Sequence, residues 1–384
     1  MLVITPDFPF PTIHGGRVDY FHRIKCLAEF GLEIDLISTV SEDIPDAHIS
    51  EMKKYAASVT IVKRSTSWKD IFSLIPHQIL SRSELATIHL KSEMYDFVLV
   101  EGEYVLSILN NPALKYKKSY LRVHNIENKY FYALGLSAFP KITSFYYFFE
   151  AFKFYRIQEK IYRDFDQLLF VSADELQLMK GRYNAVHLLT PHSKNEKMKP
   201  YVKRESRSVL FIGSLFMPNN VEAVEYYLKE IHNRLLDIPG YKFIVVGSVR
   251  RKEEIKKHIL TKFKKYDSVE FYFDAEDDEI KAFYETARVF VNPILHGAGV
   301  KLKVFEAIRN GLPIVSTPEG VAGSDLQVNA EILVGNNAEG LAHAIQIVLN
   351  GEVDEMKLIS NAQLKMNSSY NYLAELFSEK ALAS

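Results

Sequence analysis

The chain has 384 residues, a formal net charge of −1 and one cysteine, Cys26. The length leads to two domains, each large enough for its own core. The charge excludes a global field that draws in nucleic acid, and the lone cysteine excludes an internal disulfide and a cysteine-rich metal site.

No apolar run approaches the roughly 18 residues of a membrane helix. The opening MLVITPDFPFP is too short and too interrupted for a secretory signal, so the expected location is the cytoplasm. Leu2 to Thr5 reads as a short buried strand. A proline-containing loop follows and ends in His14-Gly15-Gly16-Arg17. A helix then runs to about Phe30, with Phe21, Ile24, Leu27 and Ala28 on one face and Gly31 past its end. Ile34 to Ser38 is the second strand. Gly15 and Gly16 suit either close approach of an anion to the backbone or simply a tight turn. Arg17 is either an anion contact or a solvated arginine.

Strands recur at Val59 to Val62, Phe97 to Val100, Tyr120 to Val123, Leu168 to Val171 and His187 to Leu189. The helical segments between most of them predict a parallel sheet covered on both faces. Two loops at strand ends are polar: Glu101-Gly102-Glu103, and Arg122 to Glu127, RVHNIE. The carboxyl ends of strands border the ligand crevice in a doubly wound sheet, so His124 is a candidate site residue, or else a loop cap. Glu101 and Glu103 fit helix capping nearly as well as chemistry. Ser172 to Glu175 reads as a capping box. Phe145 to Arg156, FYYFFEAFKFYR, opens a helix reaching about Phe165. It either packs into the core or forms a peripheral membrane face, with Lys141, Lys153, Arg156 and Lys160 near phospholipid charge and Lys115, Lys117 and Lys118 adding to it.

His192 to Ser206 is polar and without apolar period, which makes it the linker between domains at 1–192 and 206–369. Val209 to Ile212 restarts the pattern, followed by Gly213-Ser214 and by Pro218-Asn219-Asn220 opening a helix. Phe243 to Val246, Val269 to Phe273 and Val289 to Leu295 are further strands. After the last comes His296-Gly297-Ala298-Gly299, a helix from Val300 to Asn310, and Gly311 at a left-handed C-cap. Leu312 to Thr317 and Ile332 to Val334 complete the sheet. Along the helix, Val304, Phe305 and Ile308 share the core face, with Lys303, Glu306 and Asn310 opposite. Lys301 lies near the apolar side. Two lysines in a first turn oppose the helix dipole, which a bound anion would reverse. Without an anion, Lys303 pairs with Glu306 and Lys301 snorkels.

Gly-x-Gly-x-x-x-Lys, Phe305-Glu306-Ala307 and Gly311 to Thr317 together resemble the donor site of family-4 glycosyltransferases of the GT-B fold, the bacterial surface-polysaccharide type. Gly213-Ser214 with Pro218-Asn219, and the segment from Arg122 to Glu127, resemble two further motifs of that family. The resemblance implies an α/β protein of two Rossmann-like domains facing a central cleft, with the last helix, about 370–384, crossing back to the first domain. It implies a retaining, metal-independent hexosyl transfer from a UDP- or GDP-sugar to a hydroxyl of a glycan or lipid-linked saccharide, at the inner face of the membrane. No cofactor is implied beyond the donor itself.

By the same resemblance, Glu306 grips the ribose, and His296, Gly297, Ala298, Gly299 and Val300 hold diphosphate and sugar. Gly213 and Ser214 approach the diphosphate, Gly15, Gly16 and Arg17 close over it, Phe273-Asp274-Ala275 borders the base, and His124 lies near the sugar. Two departures stand out. Ala298 occupies a position where the family often has glutamate, and no basic residue lies between Gly213 and Asn220. The second departure shifts the positive charge onto Lys301 or Lys303. Lys301 is the expected catalytic cation, since Lys303 has Glu306 as an ordinary partner. A sugar-nucleotide epimerase on the same fold and a non-catalytic partner subunit are the alternatives.

Overall fold

The computed structural model describes residues 1–12, 15–65, 67–190, 198–296 and 299–378. It divides into two compact units, Met1–Asn195 with Asn367–Ser384, and Glu196–Met366. The short β-branched and aromatic runs of each unit pair into a wholly parallel sheet.

In the first unit the strands are β1 (Leu2–Thr5), β2 (Asp35–Val40), β3 (Ser58–Lys63), β4 (Tyr95–Glu101), β5 (Tyr116–Val123), β6 (Gln167–Phe170) and β7 (Ala185–His187). Their order is β3-β2-β1-β4-β5-β6-β7. Val3 of β1 lies beside Leu36 on one side and Leu99 on the other. Leu2 and Ile4 enter one apolar core and Val3 the other. A strand covered on both faces has no solvated side to encode, which is why it reads as an unbroken apolar run. The strand order reverses between β1 and β4. The switch point, where such sheets bind ligands, therefore lies beyond Thr5 and Glu101.

The second unit repeats the plan with β8 (Arg207–Ile212), β9 (Tyr241–Gly247), β10 (Val269–Phe273), β11 (Val289–Asn292), β12 (Ile314–Ser316) and β13 (Leu333–Val334). Their order, β10-β9-β8-β11-β12-β13, puts the switch point beyond Ile212 and Asn292. The strand expected to reach Leu295 stops at Asn292, because Pro293 has no N–H for the ladder. The following helix is shorter than its apolar spacing suggests. It spans Leu302–Arg309, and Lys301 is its flanking residue with extended backbone (φ −90°, ψ 90°). Gly311 has φ +66°, and a Cβ there would stand 2.6 Å from the Pro200 carbonyl oxygen. Left-handed backbone and close approach thus both require glycine.

Two helices of the first unit form a hairpin over one face of its sheet. Glu127–Ala138 leaves the carboxyl end of β5, and Thr143–Arg163 returns to the amino end of β6. They pack antiparallel, with the Phe131 and Phe154 rings stacked at 5.4 Å. Gly135 lies so close to Phe148 that a Cβ would meet its ring at 2.5 Å. The tip of this hairpin, 139–142, therefore rises on the carboxyl-edge side of the sheet. The capping box at Ser172 is only half formed. Ser172 Oγ accepts from the Glu175 N–H at 3.3 Å, whereas the Glu175 carboxylate accepts from the Ile126 N–H at 2.9 Å.

Candidate active site

In the second unit, the loop after β8 and the helix after β11 meet at the switch point. Lys303, in the first turn of Leu302–Arg309, points at the β8 loop. Its Nζ donates to Asn220 Oδ1 at 2.7 Å and lies 4.4 Å from the centre of the Phe211 ring. A Cβ on Gly213 would come within 3.0 Å of both Asn220 and Lys303 Nζ. Glycine is thus what lets the loop backbone approach the ammonium. Burial, with the neighbouring Lys301 charge second, pushes the Lys303 ammonium down to about 7. Its partners are an amide oxygen and an aromatic ring, neither of which carries a charge to neutralise it. Lys301 Nζ donates to the Gly299 carbonyl at 2.6 Å; burial lowers its pKa too, and Glu319 opposes that. Two partly desolvated ammonium groups beside a glycine loop and a helix N-terminus favour one kind of guest, an anion of charge near −2.

In the first unit, a buried ionic network lies under the switch point. Arg23 donates from Nε and Nη2 to the two Glu101 oxygens at 2.6 and 2.8 Å, and also pairs with Asp19. Asp19 further accepts from Arg122 Nε at 3.3 Å and from Thr190 Oγ1 at 2.6 Å. Burial alone would raise the Asp19 carboxyl, but Arg122 and Arg23 outweigh it and hold the group well below the usual range. His124 stands above this network. Its Nε2 is 3.4 Å from Glu101 Oε2, its Nδ1 is 3.8 Å from Asp19 Oδ2, and its ring meets Tyr20 edge-on at 5.2 Å. The spacing of Asp19, Glu101 and His124 would suit a cation. Both carboxylates are already neutralised by guanidinium groups, however, so the donor set does not fit one.

The family model "Glycosyl transferases group 1" matches residues 206–351, the part that holds Gly213, Lys303 and Glu306. A 44.6 kDa protein in the cps region of Klebsiella pneumoniae is 32% identical over 395 residues, covering 100% of this chain and 98% of the relative. The chain belongs to the group 1 glycosyl transferases. Two solved structures extend the fold over the whole length. Sucrose-phosphate synthase from Thermosynechococcus elongatus has a TM-score of 0.67 at 15% identity and covers 100% of this chain and 99% of that one. Alr3699/HepE from Anabaena, solved with UDP and glucose, has a TM-score of 0.62 at 12% identity and covers 100% and 99%. The fold of this glycosyltransferase is accordingly GT-B, with two Rossmann-like domains.

Several residues of the glycosyltransferase differ from their sequence-based placement. Lys303 does not pair with Glu306 on a solvated face; it turns toward Asn220, and Glu306 accepts instead from Arg309 Nη2 at 2.9 Å. Asn310, expected opposite the core, is buried and donates to the Glu306 carbonyl. Lys301 is outside the helix rather than in its first turn. Glu101 is buried against Arg23 rather than capping a helix, whereas Glu103, also buried, stands in the first turn of the short helix Glu103–Asn110. His296 is exposed, 3.8 Å from Glu222. Gly299 has φ +76°, and Val300 beside it is half-buried. Arg17, next to Gly16, is paired with Asp7 at 2.7 Å. Ser214 receives the Asn220 amide on its carbonyl at 3.0 Å. Gly297 and Ala298 lie outside the described residues, and Gly15 opens the Gly15–Glu29 helix.

Asn220, Phe211 and the Asp19–Arg23–Arg122 network were not singled out from sequence. An Asp-x-x-x-Arg pair on one helix face was the available signal for the last.

Proposed function

We propose that this glycosyltransferase moves a hexose from a UDP- or GDP-sugar to a hydroxyl of a glycan or lipid-linked saccharide, with retention of configuration and without a metal. The observation that carries the donor class is Lys303, an ammonium desolvated beside a glycine loop and a helix N-terminus. As the glycosidic bond breaks, the nucleoside diphosphate gains negative charge. Lys303, Lys301 and first-turn N–H groups would stabilise that charge where it develops. Glu306 would bind the ribose and set position rather than move protons. His124 would hydrogen-bond the sugar or orient the acceptor, its ring held by Tyr20 and the Asp19–Glu101 pair beneath it. The structure of HepE with UDP and glucose supports a uridine donor, and the cps-region relative supports a surface-polysaccharide acceptor. A lipid-linked acceptor would bring the enzyme to the cytoplasmic face of a membrane.

Thermal stabilisation by a panel of nucleoside diphosphates and their sugars tests the donor class. A ligand at 100 times its Kd adds roughly 2.7 kcal/mol to stability. A shift with UDP or GDP and none with the monophosphates supports the reading. Epimer formation from the sugar nucleotide alone would replace it with the epimerase.

A further inference from the structure

Half of the large apolar side chains that the described residues expose fall in two short stretches of the first unit, 71–75 and 132–155. The hairpin tip carries Leu136, Phe139 and Ile142, the last two 66% and 84% exposed. Phe145, Phe152 and Tyr155 continue this apolar surface along the outer face of the Thr143–Arg163 helix, at a spacing that returns to one side. Segment 71–77 is fastened beside that helix by two backbone contacts. Lys153 Nζ donates to the Ile71 carbonyl at 3.0 Å, and the His77 N–H donates to Glu150 at 2.9 Å. This segment adds exposed Phe72 and Ile75 to the same neighbourhood.

Beyond Arg156 the base of the hairpin carries exposed Glu159, paired with Arg163 at 2.8 Å, but toward the tip its charge is one-sided. From Glu127 to Arg156 the exposed charged side chains are Lys129, Lys141 and Arg156, while the acidic residues Glu127 and Glu150 are both buried. Lys153 is buried too, paired with Glu150 at 2.6 Å, so it is not the phospholipid contact its sequence context suggests. Lys117 is also misplaced for that role. It lies at the start of β5, at the opposite edge of the sheet from the hairpin tip, and pairs with Asp96 at 2.6 Å.

We propose that the hairpin tip and its outer face dock on an anionic lipid bilayer. Phe139, Ile142 and Phe145 enter the headgroup boundary, and Lys141 and Arg156 meet lipid phosphate. Aromatic and aliphatic groups flanked at the tip by Lys141 and along the two helices by Lys129 and Arg156 match such a surface, where each lysine or arginine adds to an attraction that salt screens. The proposal deepens the lipid-linked-acceptor reading, and it is tested without donor or acceptor, so either can fail alone.

Sedimentation with phosphatidylcholine vesicles, with and without phosphatidylglycerol, tests it. The full chain should bind the anionic vesicles and be released by salt. Lys141→Glu with Arg156→Glu should weaken partitioning roughly tenfold or more. Phe139→Ser with Ile142→Ser should weaken it comparably at unchanged melting temperature, since both side chains are exposed. Lys117→Glu should bind as the parent does. Equal binding to neutral and anionic vesicles overturns the proposal, as does parent-like binding by both hairpin variants. So does a concentration-dependent sedimentation coefficient, measured without vesicles, that the Phe139 and Ile142 changes abolish; the face would then join two copies of this chain.

Discussion

Replacing Lys303 with methionine isolates one charge. Burial and Lys301 bring the ammonium from the 10.5 of a free lysine down to about 7. The unfolded chain keeps that proton up to about 10.5, so the free protein gains stability as pH rises from about 7 to 10.5, and Lys303 adds no slope below that window. Each unit of diphosphate charge about 4 Å away attracts the ammonium by about 4 kcal/mol at an effective dielectric of 20. Partial exposure of the site reduces this to about 2–3 kcal/mol, or roughly 30- to 160-fold in affinity. Binding should also return the proton. At pH 8 a group titrating at about 7 is mostly neutral, so UDP binding should take up most of a proton per site. Calorimetry at pH 8 in buffers of different ionisation enthalpy reads this number directly. Lys303→Met should abolish most of the uptake and lose the affinity. Equal uptake in parent and variant, or its disappearance with Lys301→Met instead, would refute the assignment of the diphosphate contact to Lys303.

Three further outcomes are expected. Glu306→Ala should weaken UDP binding by about 1.5–3 kcal/mol, the worth of hydrogen bonds to a charged group; if dideoxy-UDP binding drops equally, the ribose role is wrong. Arg23→Met should cost about 3–5 kcal/mol in urea unfolding because it strands buried Glu101 and part of Asp19; an unmoved midpoint would contradict the network. Glu127, raised to about 8 by burial and hydrogen-bonded by the Tyr104 hydroxyl, has a folded value above its unfolded one. Its contribution is therefore present below about pH 4.5 and lost as pH climbs to 8. Glu127→Gln should flatten that decline, and an unchanged pH profile would show that Glu127 is not its source.

The sheets were legible because strands buried on both faces are short apolar runs, and because glycines such as Gly311 mark left-handed backbone locally. The loops at the switch points were legible for the same reason: they follow strands. The site failed where the deciding neighbour was remote. A helical wheel put Lys303 opposite the core, which is correct for the helix alone. That face is filled by Asn220 and Phe211, more than eighty positions earlier, so the apparent solvent side is a cradle. Lys153 went wrong in the same way, since residues 71–77 cover the face that the Thr143–Arg163 helix seemed to leave open. Glu101 and Arg122 look like ordinary strand-end charges until Asp19 and Arg23 arrive from the Gly15–Glu29 helix.

The buried Glu150–Lys153 pair holds segment 71–77 through main-chain atoms at Ile71 and His77. Backbone anchors are indifferent to the side chains between them. The exposed Leu74 and Ile75 can therefore change in the course of descent without disturbing these anchors, which leaves their character free to follow whatever that surface meets. Homologues that keep a carboxylate and an ammonium at the two helix positions should show the widest sequence variation inside this clasp. Those that replace the pair with apolar residues lose the tether, and the segment's length should then vary as well.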